Sequence, residues 1–214
     1  MKLIMETGIF TLTVLPVIAY LAGSLPTAVL AGKWLRGIDL RDHGSGNAGA
    51  TNAIRVLGPG IGLSVLIIDA FKGVGAVSLA YLAAGYIPEE SSFVLFQILL
   101  GGMAILGHVF PLFASFRGGK GIATLVGISI ILYKEAFLIC LVVFLTVFLT
   151  TRYVSAGSIA SALVLPFAVI FTDGMNILPK IIFAAAIALF VPIMHLNNIK
   201  RLIQGRENRI SFKR

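Results

Sequence analysis

Seven stretches of near-continuous Leu, Ile, Val, Phe and Ala decide what this chain can fold into. They lie at about residues 8–31, 60–86, 92–110, 122–133, 136–151, 154–172 and 177–195. A run of ~20 apolar residues matches the ~30 Å hydrocarbon core of a bilayer. In lipid each backbone polar group must be paired within its own helix or around a closed barrel. Period-2 alternation is absent, which argues against a barrel. An all-α integral membrane protein is therefore expected, as one polytopic domain over residues 1–214 with no internal repeat. Composition agrees: 58% of residues are hydrophobic and only 12% charged, against about 25% charged in soluble domains. A disordered chain and a nucleic-acid binder are both excluded, despite a net charge of +8. The first run continues to about Leu30, too long for a signal-peptide core, and reads as a retained span. The single cysteine, Cys140, has no intrachain disulfide partner.

Charge distribution sets the expected topology. Segment 122–133 has 12 residues, ~18 Å of helix, too short to cross a bilayer unaided. Either two short segments meet near Lys134-Glu135, or one long span runs through. With seven crossings and an outside N-terminus, loops 32–59, 111–121 and 152–153 and the tail 196–214 fall inside. They hold thirteen of the 17 Lys and Arg residues. One long span would put the basic tail outside, against the positive-inside rule. The expectation is thus about seven transmembrane helices, N-terminus outside and C-terminus cytoplasmic. The outer loops 87–91 and 173–176 are short and chemically plain. The inner loops are rich in Gly, Asn, Ser, His and Arg, so the working site is expected at the cytoplasmic face.

Three inner constellations carry chemical capacity. The first runs from Asp39 to Arg55. Ser45, Gly46, Asn47 and Thr51 lie among small residues that leave backbone N–H groups accessible. Such a loop can nest an anion, and a following helix N-terminus adds its dipole. Arg55 lies beyond, where a helix can turn it toward a phosphate. A flexible loop is the plainer alternative. The second is Gly118-Gly119-Lys120-Gly121. It is not a Walker A loop, because Ala114 stands where that pattern needs Gly and Gly121 where it needs Ser or Thr. It still suits a simpler phosphate; a snorkelling Lys120 is the alternative. The third is split between Arg152-Tyr153-Val154-Ser155 and His195–Arg201, with Gly205-Arg206-Glu207 after it. His195 and Asn198 are three apart, as on one helix face. A His at the membrane rim can bind phosphate or move a proton.

One ionic pair lies within a span. Asp69 and Lys72 are at i,i+3 in the second apolar run. A lone charge mid-helix costs about 2.5–3.5 kcal/mol on insertion scales, and pairing reduces that cost. Both a structural tie to the inner loops and a functional role fit the pair.

Other chemistries are set aside. The 3 histidines and 1 cysteine lack metal-ligand spacing, so no metal site or cofactor is expected. No Gly-x-Ser-x-Gly elbow occurs. The His-x4-Asp pattern of many glycerolipid acyltransferases is missing, since Ala48, Phe113 and Lys200 stand five residues after the histidines. A transporter of a phosphorylated metabolite is the competing class. It usually shows repeats and paired broken helices, whereas these polar blocks cluster on one side.

Taken together, the blocks resemble the bacterial acyl-phosphate:glycerol-3-phosphate acyltransferases, the PlsY family. The resemblance rests on Gly23-Ser24-Leu25-Pro26, the run Gly44–Asn52 with Arg55, Gly107-His108 with Pro111, and Gly118–Thr124. It continues through Arg152–Ser155, Ser158-Ile159, His195, Asn198, Arg201, Gly205 and Glu207. It implies a multi-pass enzyme of the bacterial cytoplasmic (inner) membrane with its site at the cytoplasmic face. Such an enzyme moves a fatty acyl group from acyl-phosphate to the sn-1 hydroxyl of glycerol 3-phosphate, without a cofactor, giving lysophosphatidic acid and phosphate. Its partners would be these two substrates, membrane lipid and an enzyme that supplies acyl-phosphate. The family's polar site residues map to Ser45, Arg55, Lys120, Ser155, His195 and Asn198. Ser45, Arg55 and Lys120, with Gly46, Asn47, Thr51, Gly118, Gly119, Gly121 and Ser155, are then expected to bind phosphate. His195, Asn198 and Ser45 are expected as the catalytic residues; His195 and Asn198 would hold glycerol 3-phosphate, with His195 or a substrate phosphate as base. Asp69, Lys72, Arg152, Arg201 and Glu207 are expected in supporting roles.

Overall fold

The computed structural model describes residues 2–174 and 178–210, with side chains from Gly8 onward. Residues 175–177, which end the expected outer loop 173–176 and open the seventh apolar run, lie outside the described residues, as do 211–214 with Lys213 and Arg214. Among the described residues ten α-helices form: α1 (Lys2–Gly23), α2 (Thr27–Arg36), α3 (Ala50–Leu57), α4 (Pro59–Ser78), α5 (Glu90–Val109), α6 (Ile122–Leu132), α7 (Lys134–Thr151), α8 (Val154–Asp173), α9 (Leu178–Met194) and α10 (Leu196–Ile203). Three 3-10 segments join them, at Leu40–Asp42, Leu79–Tyr86 and Leu112–Ala114. No strand occurs among the described residues.

Five segments among the described residues are long and apolar enough to span a membrane: Gly8–Arg36, Pro59–Tyr86, Glu90–Ala114, Lys134–Thr151 and Val154–Asp173. The pair α9 and α10, bent by 60°, makes a sixth when counted as one broken span. Helix α6 has 11 residues, ~16 Å, and is too short by itself. The stretch 122–151 is therefore two helices, interrupted at Tyr133. The first apolar run differs from the continuous span expected to about residue 31. Pro26 has no N–H and disfavours a helical Leu25, so α1 stops at Gly23 and α2 starts at Thr27.

The chain divides into two compact units, residues 1–132 and 133–214. In the first, α1 packs on α5 and α4 on α6. Small residues permit these approaches: a Cβ on Gly127 would overlap the Ala70 carbonyl oxygen, and one on Gly107 the Tyr20 carbonyl oxygen. Without a hydrophobic drive between helices in lipid, such close backbone packing supplies the association. Leu15, Ala19, Ala76, Ala80, Phe96, Leu100 and Ala104 form one core. A second, of Ala28, Leu40, Ala50, Ala53, Leu57 and Val65, anchors the segment that carries the first glycine-rich loop.

In the second unit α8 packs between α7 and α9. Ser161 Oγ donates to the Cys140 carbonyl at 2.9 Å. Tyr133 Oη donates to the Lys180 carbonyl at 2.8 Å, and Lys180 pairs with Asp173 at 2.8 Å. In both units large apolar side chains point outward, among them Phe71, Phe167 and Phe171, 67%, 73% and 83% exposed. Exposed apolar area on that scale marks a surface whose natural solvent is not water.

Candidate functional site

The first glycine-rich loop is shaped by one buried amide. Asn52 is 1% exposed. Its Oδ1 accepts the Ser45 N–H at 2.8 Å, and its Nδ2 donates to the Leu40 and His43 carbonyls, each at 3.0 Å. Around it the chain turns at Gly44 and Gly46, with φ of 62° and 72°, a region that favours glycine. The loop ends at Gly49, and α3 begins at Ala50. Ser45, Gly46 and Asn47 thus lie on the loop, Thr51 in the first turn of α3 and Arg55 in its last.

The second loop is folded against the first. Arg41 grips Asp39 with two bonds, Nε to Oδ1 at 2.9 Å and Nη2 to Oδ2 at 2.7 Å. Its Nη1 donates to the Ala114 carbonyl at 2.8 Å and the Arg117 carbonyl at 3.3 Å. The fork geometry of the guanidinium suits this double duty. The Arg41 hydrogen bond holds the Asp39 carboxyl well below its usual range, to about 2. Gly118 and Gly119 N–H groups donate to the Val109 and His108 carbonyls at 3.1 and 3.2 Å. A Cβ on Gly119 would collide with His108 Nε2 and press on the Ala48 carbonyl oxygen at 3.0 Å. Only glycine fits between the loops there. Lys120 and Gly121 (φ 76°) follow, and α6 starts at Ile122. Two glycine-rich loops, each leading into a helix N-terminus, therefore meet in one unit.

Asp69 and Lys72 sit below these loops, 2% and 6% exposed at the side chain and 2.6 Å apart. Lys72 Nζ also donates to the Leu25 carbonyl, left outside a helix by Pro26, and to Thr27 Oγ1. Thr27 Oγ1 donates to Asp69 Oδ1 at 2.9 Å. His108 Nδ1 is 3.9 Å from the same Asp69 oxygen.

In the second unit Glu207 is the organiser. Its side chain is 2% exposed. Oε1 accepts from Asn198 Nδ2 at 2.6 Å and from Ser155 Oγ at 3.0 Å; Oε2 accepts from Arg201 Nε at 2.7 Å. Burial raises the carboxyl pKa, but the bonds from Arg201, Asn198 and Ser155 outweigh it and hold it below the usual value. The structure thus brings Ser155, Asn198, Arg201 and Glu207 together. Arg152 ends α7 with φ 65°, and its carbonyl accepts the Ile210 N–H at 3.0 Å.

His195 stands just before α10, three positions ahead of Asn198, and its carbonyl accepts the Ile199 N–H at 2.8 Å as in a helical turn. It sits at the bend between α9 and α10. Its Nδ1 lies 2.8 Å from the Val191 carbonyl. A carbonyl only accepts, so Nδ1 carries a proton. Sequence reasoning missed Asn52, Arg41 and His108 as organisers. One signal for Glu207 was available: it is the single acid in the basic tail 196–214.

The profile of the glycerol-3-phosphate acyltransferase family matches residues 13–205. A glycerol-3-phosphate acyltransferase of Fusobacterium nucleatum is 41% identical over 196 residues, covering 92% of this chain and 96% of that one. One of Chlorobium phaeobacteroides is 38% identical over 232 aligned positions, covering 95% and 98%. Among solved structures, that of PlsY, an integral membrane glycerol 3-phosphate acyltransferase, in its glycerol 3-phosphate form aligns with a TM-score of 0.81 at 34% identity, over 94% of this chain and 96% of that one. The lysophosphatidic acid form of PlsY aligns with a TM-score of 0.77 at 33% identity, over 94% and 95%. With a profile match across most of its length and such relatives, the chain belongs to the glycerol-3-phosphate acyltransferase family.

Proposed function

We propose that this acyltransferase takes its acyl group from acyl-phosphate and delivers it to the sn-1 hydroxyl of glycerol 3-phosphate. The observation that carries the reading is the pair of glycine-rich loops stapled by Arg41, each opening onto a helix N-terminus, with Lys120 in one and Ser45 in the other. Such a double nest fits a phosphate group. Ser45, Gly46, Asn47, Thr51, Arg55 and Gly118–Gly121 hold phosphate in this reading. Ser155, His195 and Asn198 hold glycerol 3-phosphate, while Glu207 and Arg201 fix Asn198 and Ser155.

The chemistry asks for little beyond this. Acyl-phosphate is a mixed anhydride and already activated. The sn-1 oxygen attacks the carbonyl carbon, an ester C–O bond forms, and the bond from that carbon to the phosphate oxygen breaks. Phosphate leaves with the electron pair. The hydroxyl proton passes to His195 Nε2 or to a substrate phosphate. Positioning and charge stabilisation supply the rate; no enzyme nucleophile and no cofactor are needed.

The reading includes seven crossings, an outside N-terminus, and the site at the cytoplasmic face of a bacterial inner membrane. The basic excess of the inner loops and tail supports it. Membrane lipid surrounds the helices, and a separate enzyme must supply acyl-phosphate. The test is detergent-purified protein with palmitoyl-phosphate and labelled glycerol 3-phosphate, without coenzyme A or carrier protein. Equal amounts of lysophosphatidic acid and phosphate are expected. No product, with unchanged label taken up by sealed proteoliposomes, would replace the reading by a transporter.

A further inference from the structure

We propose that His108 is a positioning residue for acyl transfer: its imidazole, oriented by Thr124 and the buried Asp69–Lys72 pair, is the floor on which the Gly118–Gly121 loop is set. The inference rests on the phosphate-binding reading of that loop. His108 is 8% exposed, in the last turn of α5. Both its backbone and its ring touch the loop. Its carbonyl accepts the Gly119 N–H at 3.2 Å. Its Nε2 edge lies so close under Gly119 that no side chain fits between them, while the Ala48 carbonyl of the first loop closes the other side.

The opposite edge of the ring is held as well. Nδ1 is within hydrogen-bond reach of Thr124 Oγ1, at 3.4 Å, and faces Asp69 Oδ1 at 3.9 Å. Thr124 is fully buried in the first turn of α6, the helix that the loop opens onto. Asp69 is fixed in turn by Lys72 and Thr27. Rotating the imidazole would therefore move Gly119 and, with it, the adjacent Lys120. A buried charged pair is a costly way to brace an apolar bundle. It becomes intelligible if its position is relayed through His108 to a loop that must hold an anion within a few tenths of an ångström.

The account separates His108 from a general packing residue. His108→Phe keeps a ring under Gly119 but loses Nδ1. Thr124→Val removes the facing hydroxyl at constant shape. His108→Asn returns a polar atom near the Nδ1 position. Steady-state kinetics with purified protein should show the KM for palmitoyl-phosphate, and the inhibition constant for inorganic phosphate, rising about tenfold in His108→Phe and Thr124→Val. That is the scale of one lost hydrogen bond. The kcat and the KM for glycerol 3-phosphate should stay within about twofold, and His108→Asn, which keeps a polar atom near Nδ1 but leaves nothing under Gly119, should stay impaired. Unchanged phosphate inhibition in both variants would overturn the proposal, as would a fall in kcat alone or an equal rise in both KM values. If His108→Phe does not fold, Thr124→Val decides. An inactive wild-type protein would refute the acyl-phosphate reading instead, so the two failures are distinguishable.

Discussion

Glu207 accepts a 2.6 Å hydrogen bond from Asn198 on a carboxylate oxygen that also accepts Ser155. One tail carboxylate thus sets the geometry of two residues from separate helices. A carboxylate can only accept, and all its neighbours here donate. Glu207→Gln puts an NH2 group in their midst and breaks at least one bond. Hydrogen bonds to charged groups contribute about 1.5–3 kcal/mol each, so thermal unfolding should show a loss of that order, together with reduced activity.

The same carboxylate gives a pH signature. Its folded pKa lies below the ordinary 4.5. Its stabilising contribution is therefore fully present above about pH 4.5 and is lost as pH falls through the depressed value. The Tm of the wild type should decline more steeply on acidification below pH 4.5 than that of Glu207→Gln. Parallel declines would contradict the assignment.

Asp69 and Lys72 make a third prediction. Each is nearly fully buried, and removing one partner strands the other charge. Asp69→Asn and Lys72→Met should each destabilise by about 3–5 kcal/mol, and the double variant by less than their sum. Additive losses in a double-mutant cycle would show that the pair is not coupled.

His195 separates two possible proton acceptors. If its Nε2 takes the hydroxyl proton, His195→Gln should lower kcat by about 10²–10⁴-fold. If it only holds glycerol 3-phosphate, the KM for that substrate should rise with kcat retained, and a substrate phosphate is the base. Wild-type kcat and KM would remove His195 from the site.

Initial-rate kinetics probe the absence of an enzyme nucleophile. Double-reciprocal plots against the two substrates should intersect, because both bind before any bond breaks. Parallel lines would indicate an acyl-enzyme.

The sequence was most legible where apolar runs met polar ends. The limits expected for the last five segments fall close to those of α5–α9, because hydropathy alone selects helices in lipid, whereas the segment expected at 60–86 leaves the α-helix at Ser78 and continues as the 3-10 segment Leu79–Tyr86. It was least legible where a single backbone event decides. Ser24–Pro26 interrupts the first run inside residues that are all small or apolar, and nothing in the spacing announces the bend at His195. Arg41 and His108 act through contacts distant in sequence, and Asn52 closes its own loop back onto Leu40, His43 and Ser45, which spacing does not encode. Glu207 was placed among supporting residues, yet its gathering of Ser155, Asn198 and Arg201 is visible only in three dimensions.

The central claim is acyl transfer from acyl-phosphate with phosphate as the leaving group. Palmitoyl-phosphate carrying oxygen-18 in the bridging position, supplied to the purified protein with glycerol 3-phosphate, tests it most directly. Attack at the carbonyl carbon predicts that all the label leaves with phosphate and that none remains in the lysophosphatidic acid. Label retained on the fatty acid, with phosphate transferred to the glycerol moiety, would contradict the account.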